Sequence, residues 1–99
     1  MKASEEIQHR VNKMSALAEA IRRIEEMEMN GRGRRLILLL MVTYSGLSMK
    51  QCGIFSGYSY AGTRRAVNLA RDLIEKDWEC QVVWDESVKI IHKNSVKKS

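Results

Sequence analysis

Apolar side chains recur at Ile7, Val11, Met14, Leu17, Ala18, Ile21, Ile24 and Met27, the three-and-four spacing of one helix face. This predicts a long helix over Ser4–Met29. Ser4 is placed to cap its start, with Glu5 and Glu6 at the positive end of its dipole. At 1.5 Å per residue it would run about 39 Å, more than a small core needs. Asn30-Gly31-Arg32-Gly33 then stops it, with two glycines able to take left-handed backbone. The run Leu36–Val42 within Arg34–Tyr44 is apolar throughout. Rich in Leu and Met and poor in β-branched residues, it reads as a buried helix rather than a strand.

Ser45-Gly46 closes that element. Ser48 and, three residues on, Gln51 make a capping-box pattern for a short third helix, with apolar contacts from Cys52, Ile54 and Phe55 and a stop at Ser56-Gly57. The stretch from Tyr58 to Gly62 reads as a turn or an irregular first helical turn, with either Ser59 or Gly62 as the next cap. From Thr63 to Lys76 the pattern is again helical, with Ala66, Val67, Ala70, Leu73 and Ile74 on one side and Arg64, Arg65, Asn68, Arg71 and Glu75 elsewhere. Trp78 reads as a hydrophobic anchor. Cys80–Trp84 and Val88–His92, either side of Asp85-Glu86-Ser87, read as a β-hairpin, with Val82, Trp84, Val88 and Ile90 closing the core. Lys93–Ser99 reads as a frayed basic tail.

Composition narrows the function classes. Hydrophobic residues at 44% and charged residues at 29% are ordinary for a folded domain. Proline is absent, and no stretch nears the ~20 apolar residues of a membrane span. The N-terminus has no apolar signal-peptide core, so a cytoplasmic protein is the expectation. The net charge of +5 is uneven: residues 1–30 carry five basic and six acidic side chains, and residues 31–99 twelve and six. A polyanion site in the later two thirds would account for that excess.

Chemistry-bearing constellations are few. Cys52 and Cys80 lack a CxxC partner and read as buried thiols. His9 and His92 have no ligand at metal spacing, so no metal or cofactor is expected. No paired carboxylates, nucleophile triad or phosphate-binding glycine loop supports an enzyme.

Leu47-Ser48, Gly57-Tyr58-Ser59 and Leu73-Ile74-Glu75-Lys76-Asp77-Trp78, in this layout, resemble the winged helix-turn-helix regulators of the ArsR and MarR kind over roughly sixty residues. The chain departs from those families in three places. Asp77 replaces the usual helix-ending glycine, Cys52-Gly53 replaces the usual apolar-alanine pair, and the segment before the recognition helix is about one turn longer.

The resemblance implies a mainly α fold with a small β-hairpin, a winged helix-turn-helix unit over 31–93, a long helix over 1–30 and a basic tail over 94–99. It also implies sequence-specific binding to double-stranded DNA, in the manner of a small transcriptional regulator. With no room left for a separate sensing domain, control by concentration, by a partner or by competition at an operator is expected.

Arg64 and Asn68, with Arg71 on the same face, are the expected base readers, since arginine pairs bidentately with guanine and asparagine with adenine. Tyr58, Ser59, Tyr60 and Thr63 suit phosphate or groove-edge contacts, as does Arg65 on the same helix, and Lys50 could hold the other side of the groove. The hairpin tip, Asp85-Glu86, would repel phosphate, which leaves Lys89 and Lys93 as its candidates. Arg32, Arg34 and Arg35 oppose the positive end of their helix, so either a phosphate or a solvated loop explains them. The stripe Ile7, Val11, Met14, Leu17, Ile21 and Ile24 suggests a homodimer on a palindromic site, or packing onto the chain's own Leu36–Val42 helix. A protein-interaction module and a nonspecific nucleic-acid binder are the alternatives.

Overall fold

The computed structural model describes residues 2–96, with side chains from Met14 to Lys93. Five helices follow in order: α1 Lys2–Glu26, α2 Gly31–Tyr44, α3 Met49–Ser56, α4 Tyr60–Lys76 and α5 Trp78–Val96. α1 begins two residues before Ser4, so the expected cap lies within it. Its end is not turned by glycine. Glu28 (φ 51°) and Asn30 (φ 62°) take positive φ, while Gly31 and Gly33 belong to α2. Gly33 serves a close approach instead: a Cβ there would sit 3.3 Å from Met29 Cβ and 3.4 Å from Ile24 Cγ2.

α2 is the central helix, which explains its all-round apolarity. Leu36 and Leu40 join Ala16, Leu17, Ala20 and Ile24 of α1, Met29, and Cys80, Val83 and Ile91 of α5 in one cluster. Leu38 and Leu39 join Cys52 of α3 and Ala66, Val67 and Ala70 of α4 in a second. Ile74 and Trp84 pack against both. α1 is therefore no separate appendage. It packs chiefly along α5, and also on α2.

The expected hairpin wing is absent: no strand occurs among the described residues, and both runs assigned to it lie in α5. Asp77 explains why. Its backbone is extended (φ −107°, ψ 111°), and its Oδ1 accepts from the N–H groups of Glu79 (3.0 Å) and Cys80 (3.3 Å). That is an N-cap, so the residue where a helix-ending glycine was expected starts a new helix. Within α5 the buried positions are Cys80, Val83, Ser87 and Ile91, a helical spacing, while Val82, Trp84, Val88 and Ile90 are only half-buried. Ser87 interrupts the apolar series, but its hydroxyl donates to Val83 O at 2.8 Å and so costs little in the interior. α5 also extends to Val96, through much of the segment read as a frayed tail.

Two further expectations change. Ile54 and Phe55 are 67% and 73% exposed rather than buried, and Trp78, at 76%, anchors nothing. Cys52 and Cys80 are both buried and free, as the sequence suggested.

Candidate nucleic-acid interface

α3 and α4 pack on each other across a three-residue connection, Gly57-Tyr58-Ser59. Three local devices fix it. Ser48 and Gln51 form the full capping box at the start of α3: Ser48 Oγ accepts from Gln51 N (3.1 Å), and Gln51 Oε1 from Ser48 N (3.0 Å). Gly57 ends α3 at φ 81°, a conformation costly for side chains with a Cβ. Ser59, rather than Gly62, caps α4 and accepts from Gly62 N at 3.1 Å. The extra turn expected before the recognition helix is therefore helix itself, and the connection has the length typical of a helix-turn-helix.

Close packing holds the two helices at one spacing. A Cβ on Gly53 would collide with Thr63 Oγ1, so the glycine at this α3 position lets α4 come near. Thr63 is completely buried, and its hydroxyl donates to Ser59 O at 2.8 Å. It is a packing residue and not the phosphate contact it was expected to be.

On α4, Thr63, Ala66, Val67 and Ala70 face inward. At 100° per residue, Ala61, Asn68 and Asp72 project most directly away from that side, with Arg64 and Arg71 on one flank and Arg65 and Leu69 on the other. Ala61, Arg64, Arg65, Asn68 and Arg71 are all exposed. Arg64, Arg65 and Arg71 make no salt bridge with any described residue. From Arg64 to Arg71 the helix rises about 10 Å, roughly three base-pair steps. Lys50 is exposed in the first turn of α3, and Tyr60, 56% exposed, opens α4.

The other expected site residues divide. Arg34 is exposed but committed: its Nη2 donates to Ser56 O (3.3 Å), and its guanidinium lies 5.3 Å from the centre of the Tyr58 ring. Arg32 joins neither a phosphate surface nor a free loop. Nη1 pairs with Asp77 Oδ2 and Nη2 with Glu79 Oε1, each at 2.9 Å, tying the start of α2 to the start of α5. The N–H of Cys80 first, and Arg32 second, hold the Asp77 carboxyl below its ordinary pKa. Burial pushes the Cys80 thiol up, which keeps it protonated. Arg35, half-buried on α2, meets Tyr58 and Arg65 around a cleft beside α4. Lys89 is exposed on α5, not on a hairpin.

The dimerisation stripe is largely interior. Leu17 and Ile24 are buried in the chain's own core, Ile21 packs against it, and only Met14 is clearly exposed, at 60%. The side chains of Ile7 and Val11 lie outside the described residues.

One feature went unread in the sequence. From Gly31 to Arg71 there are seven basic side chains and no Asp or Glu. The acidic residues all fall before or after that span, up to Glu28 or from Asp72 onward. A count by element rather than by thirds of the chain would have shown it.

No family model, curated protein or solved structure matches this chain.

Proposed function

We propose that the chain binds double-stranded DNA sequence-specifically, with the N-terminal half of α4 in the major groove. The observation that carries this reading is the outer face of α4. It sets Ala61, Arg64, Arg65 and Asn68 outward on a helix-turn-helix, inside a span of the chain free of acidic residues. Arg64 and Asn68 are the base readers, by bidentate pairing with guanine and adenine, and Ala61 offers a methyl to thymine. Lys50 and Tyr60 flank them as backbone contacts. Asp72 ends the basic face a little over three turns into α4, which limits insertion to the part of the helix before it. No wing takes part.

The test begins with duplexes selected from a random pool and uses fluorescence anisotropy. Arg64→Ala and Asn68→Ala should each cost about 1–3 kcal/mol on the selected site and relax preference at one or two base pairs. Lys50→Ala should weaken all duplexes alike. All three residues are exposed, so the helical circular dichroism should stay unchanged. Equal affinity of the unmodified chain for every duplex would remove the sequence-specific reading.

A further inference from the structure

Beside α4 lies a cleft of about 220 Å³ lined by Arg35, Tyr58, Gly62, Arg65, Ala66 and Leu69. Three elements build it: α2 gives Arg35, the turn gives Tyr58, and α4 gives the rest. No acidic residue lines it. Arg32 and Arg34 have protein partners. Arg35 and Arg65 form no salt bridge with any described residue. Two arginines, Arg35 half-buried and Arg65 exposed, line one cleft that no acidic side chain lines. Like charges on one cleft repel, and an anion between them would turn that repulsion into attraction.

Geometry narrows the anion further. The cleft is smaller than the ~300–1,000 Å³ of ordinary small-molecule pockets, so it suits one compact group. Guanidinium forks match phosphate oxygens bidentately, and a phenol can donate to a third oxygen. Tyr58 is already positioned, because Arg34 lies against its ring and its N–H donates to Gly53 O at 2.9 Å. Ala66 and Leu69 form an apolar wall suited to the carbons on either side of a phosphodiester.

We propose that Arg35, Arg65 and Tyr58 form a single phosphate-holding site, filled by one backbone phosphate at the edge of the groove that α4 enters. This rests on the DNA reading for its source of phosphate, but not for its chemistry. The site fixes the register of α4 from the flank opposite Arg64 and Arg71 and reads no base.

Two measurements test it together on the full chain and on Arg35→Gln, Arg65→Gln and the double variant. In the first, inorganic phosphate is titrated into free protein and the Gly62 and Leu69 amides are followed by NMR. Saturable shifts are expected in the unmodified chain and are expected to vanish in each variant. In the second, the slope of log affinity against log salt is measured on a selected duplex. Each single variant should lower its magnitude by about 0.9, and the double variant by about 0.9 in all, because both arginines hold the same phosphate. One neutral methylphosphonate linkage should weaken the unmodified chain about tenfold or more and leave the double variant unaffected. Unchanged slopes in variants that still bind DNA, or additive losses of about 1.8, would overturn the shared site. Shifts on phosphate titration without binding to any duplex would support the phosphate chemistry, name a free phosphate as its source, and sink the DNA reading alone.

Discussion

Three arginines stand among the first five residues of α2, and each meets different chemistry. Arg34 closes the turn between α3 and α4, and Arg35 opens onto the cleft beside α4. Arg32 reaches Asp77, forty-five residues away in sequence. The cap at Ser48 could be read from the chain because its partner Gln51 lies three residues on, whereas the α4 cap stayed open between Ser59 and Gly62. The Arg32–Asp77 pair could not be read, since only the packing of α5 brings it together. Asp77 has a double role, as cap of α5 and as partner of Arg32, and both favour its ionised form. A carboxyl whose folded pKa is depressed contributes stability above its unfolded value of about 3.9, and the contribution is lost as pH falls through the folded value. Asp77→Ala should therefore unfold at a lower temperature than the unmodified chain at pH 7. The difference should narrow as pH drops below about 4, as followed by thermal melts across a pH series. A gap constant from neutral to strongly acid pH would mean that the charge of Asp77 contributes nothing.

The elements up to Lys76 were largely visible in the apolar pattern, although four boundaries moved by two to three residues. α5 was misread for a specific physical reason. Val82, Val83, Trp84, Val88, Ile90 and Ile91 are β-branched or aromatic, and local propensity favours strands there. The buried series Cys80, Val83, Ser87 and Ile91 is helical, but Ser87 conceals it until its bond to Val83 O is seen. The supposed turn, Asp85-Glu86-Ser87, also lacks the glycine or asparagine that a tight hairpin favours. Tertiary packing decides the outcome, because α5 must present one continuous face to α1 and α2. Glu86→Pro distinguishes the two structures. At a hairpin turn proline is tolerated, whereas in the middle of α5 it removes a helical hydrogen bond and should cost about 3 kcal/mol or more. Urea titration monitored by circular dichroism should show a large loss of stability. A stable variant with unchanged midpoint would contradict the helix.

Across the whole molecule, acidic side chains are kept out of one continuous part of the chain. The acid-free span from Gly31 to Arg71 holds the proposed DNA face, while α1 carries Glu19, Glu25 and Glu26 on its exposed side. The length and amphipathicity of α1 were legible, but its partner was not. A single apolar stripe fits another subunit or the chain's own core equally well, and nothing within α1 distinguishes them. The structure answers for the C-terminal half of the helix: Leu17 is 6% exposed and Ile24 1%, both packed with α2 and α5 residues of the same chain. A dimer seam through these positions would require the core to open. Leu17→Asp therefore serves as a measurement of architecture. If α1 were a subunit seam, the variant would dissociate into folded monomers with a normal unfolding transition. With Leu17 in the core, an unpaired carboxylate is instead forced into an apolar interior, and the destabilisation should exceed about 3 kcal/mol. A stability of that size is a large part of the ~5–15 kcal/mol of a typical domain, so the variant should lose its cooperative melt at or near room temperature. Met14→Asp, on the same helix but 60% exposed, should melt close to the unmodified chain. Light scattering and thermal melts on both variants check this. A Leu17→Asp chain that melts cooperatively as a monomer, from an unmodified chain that scatters as a dimer, would restore the seam.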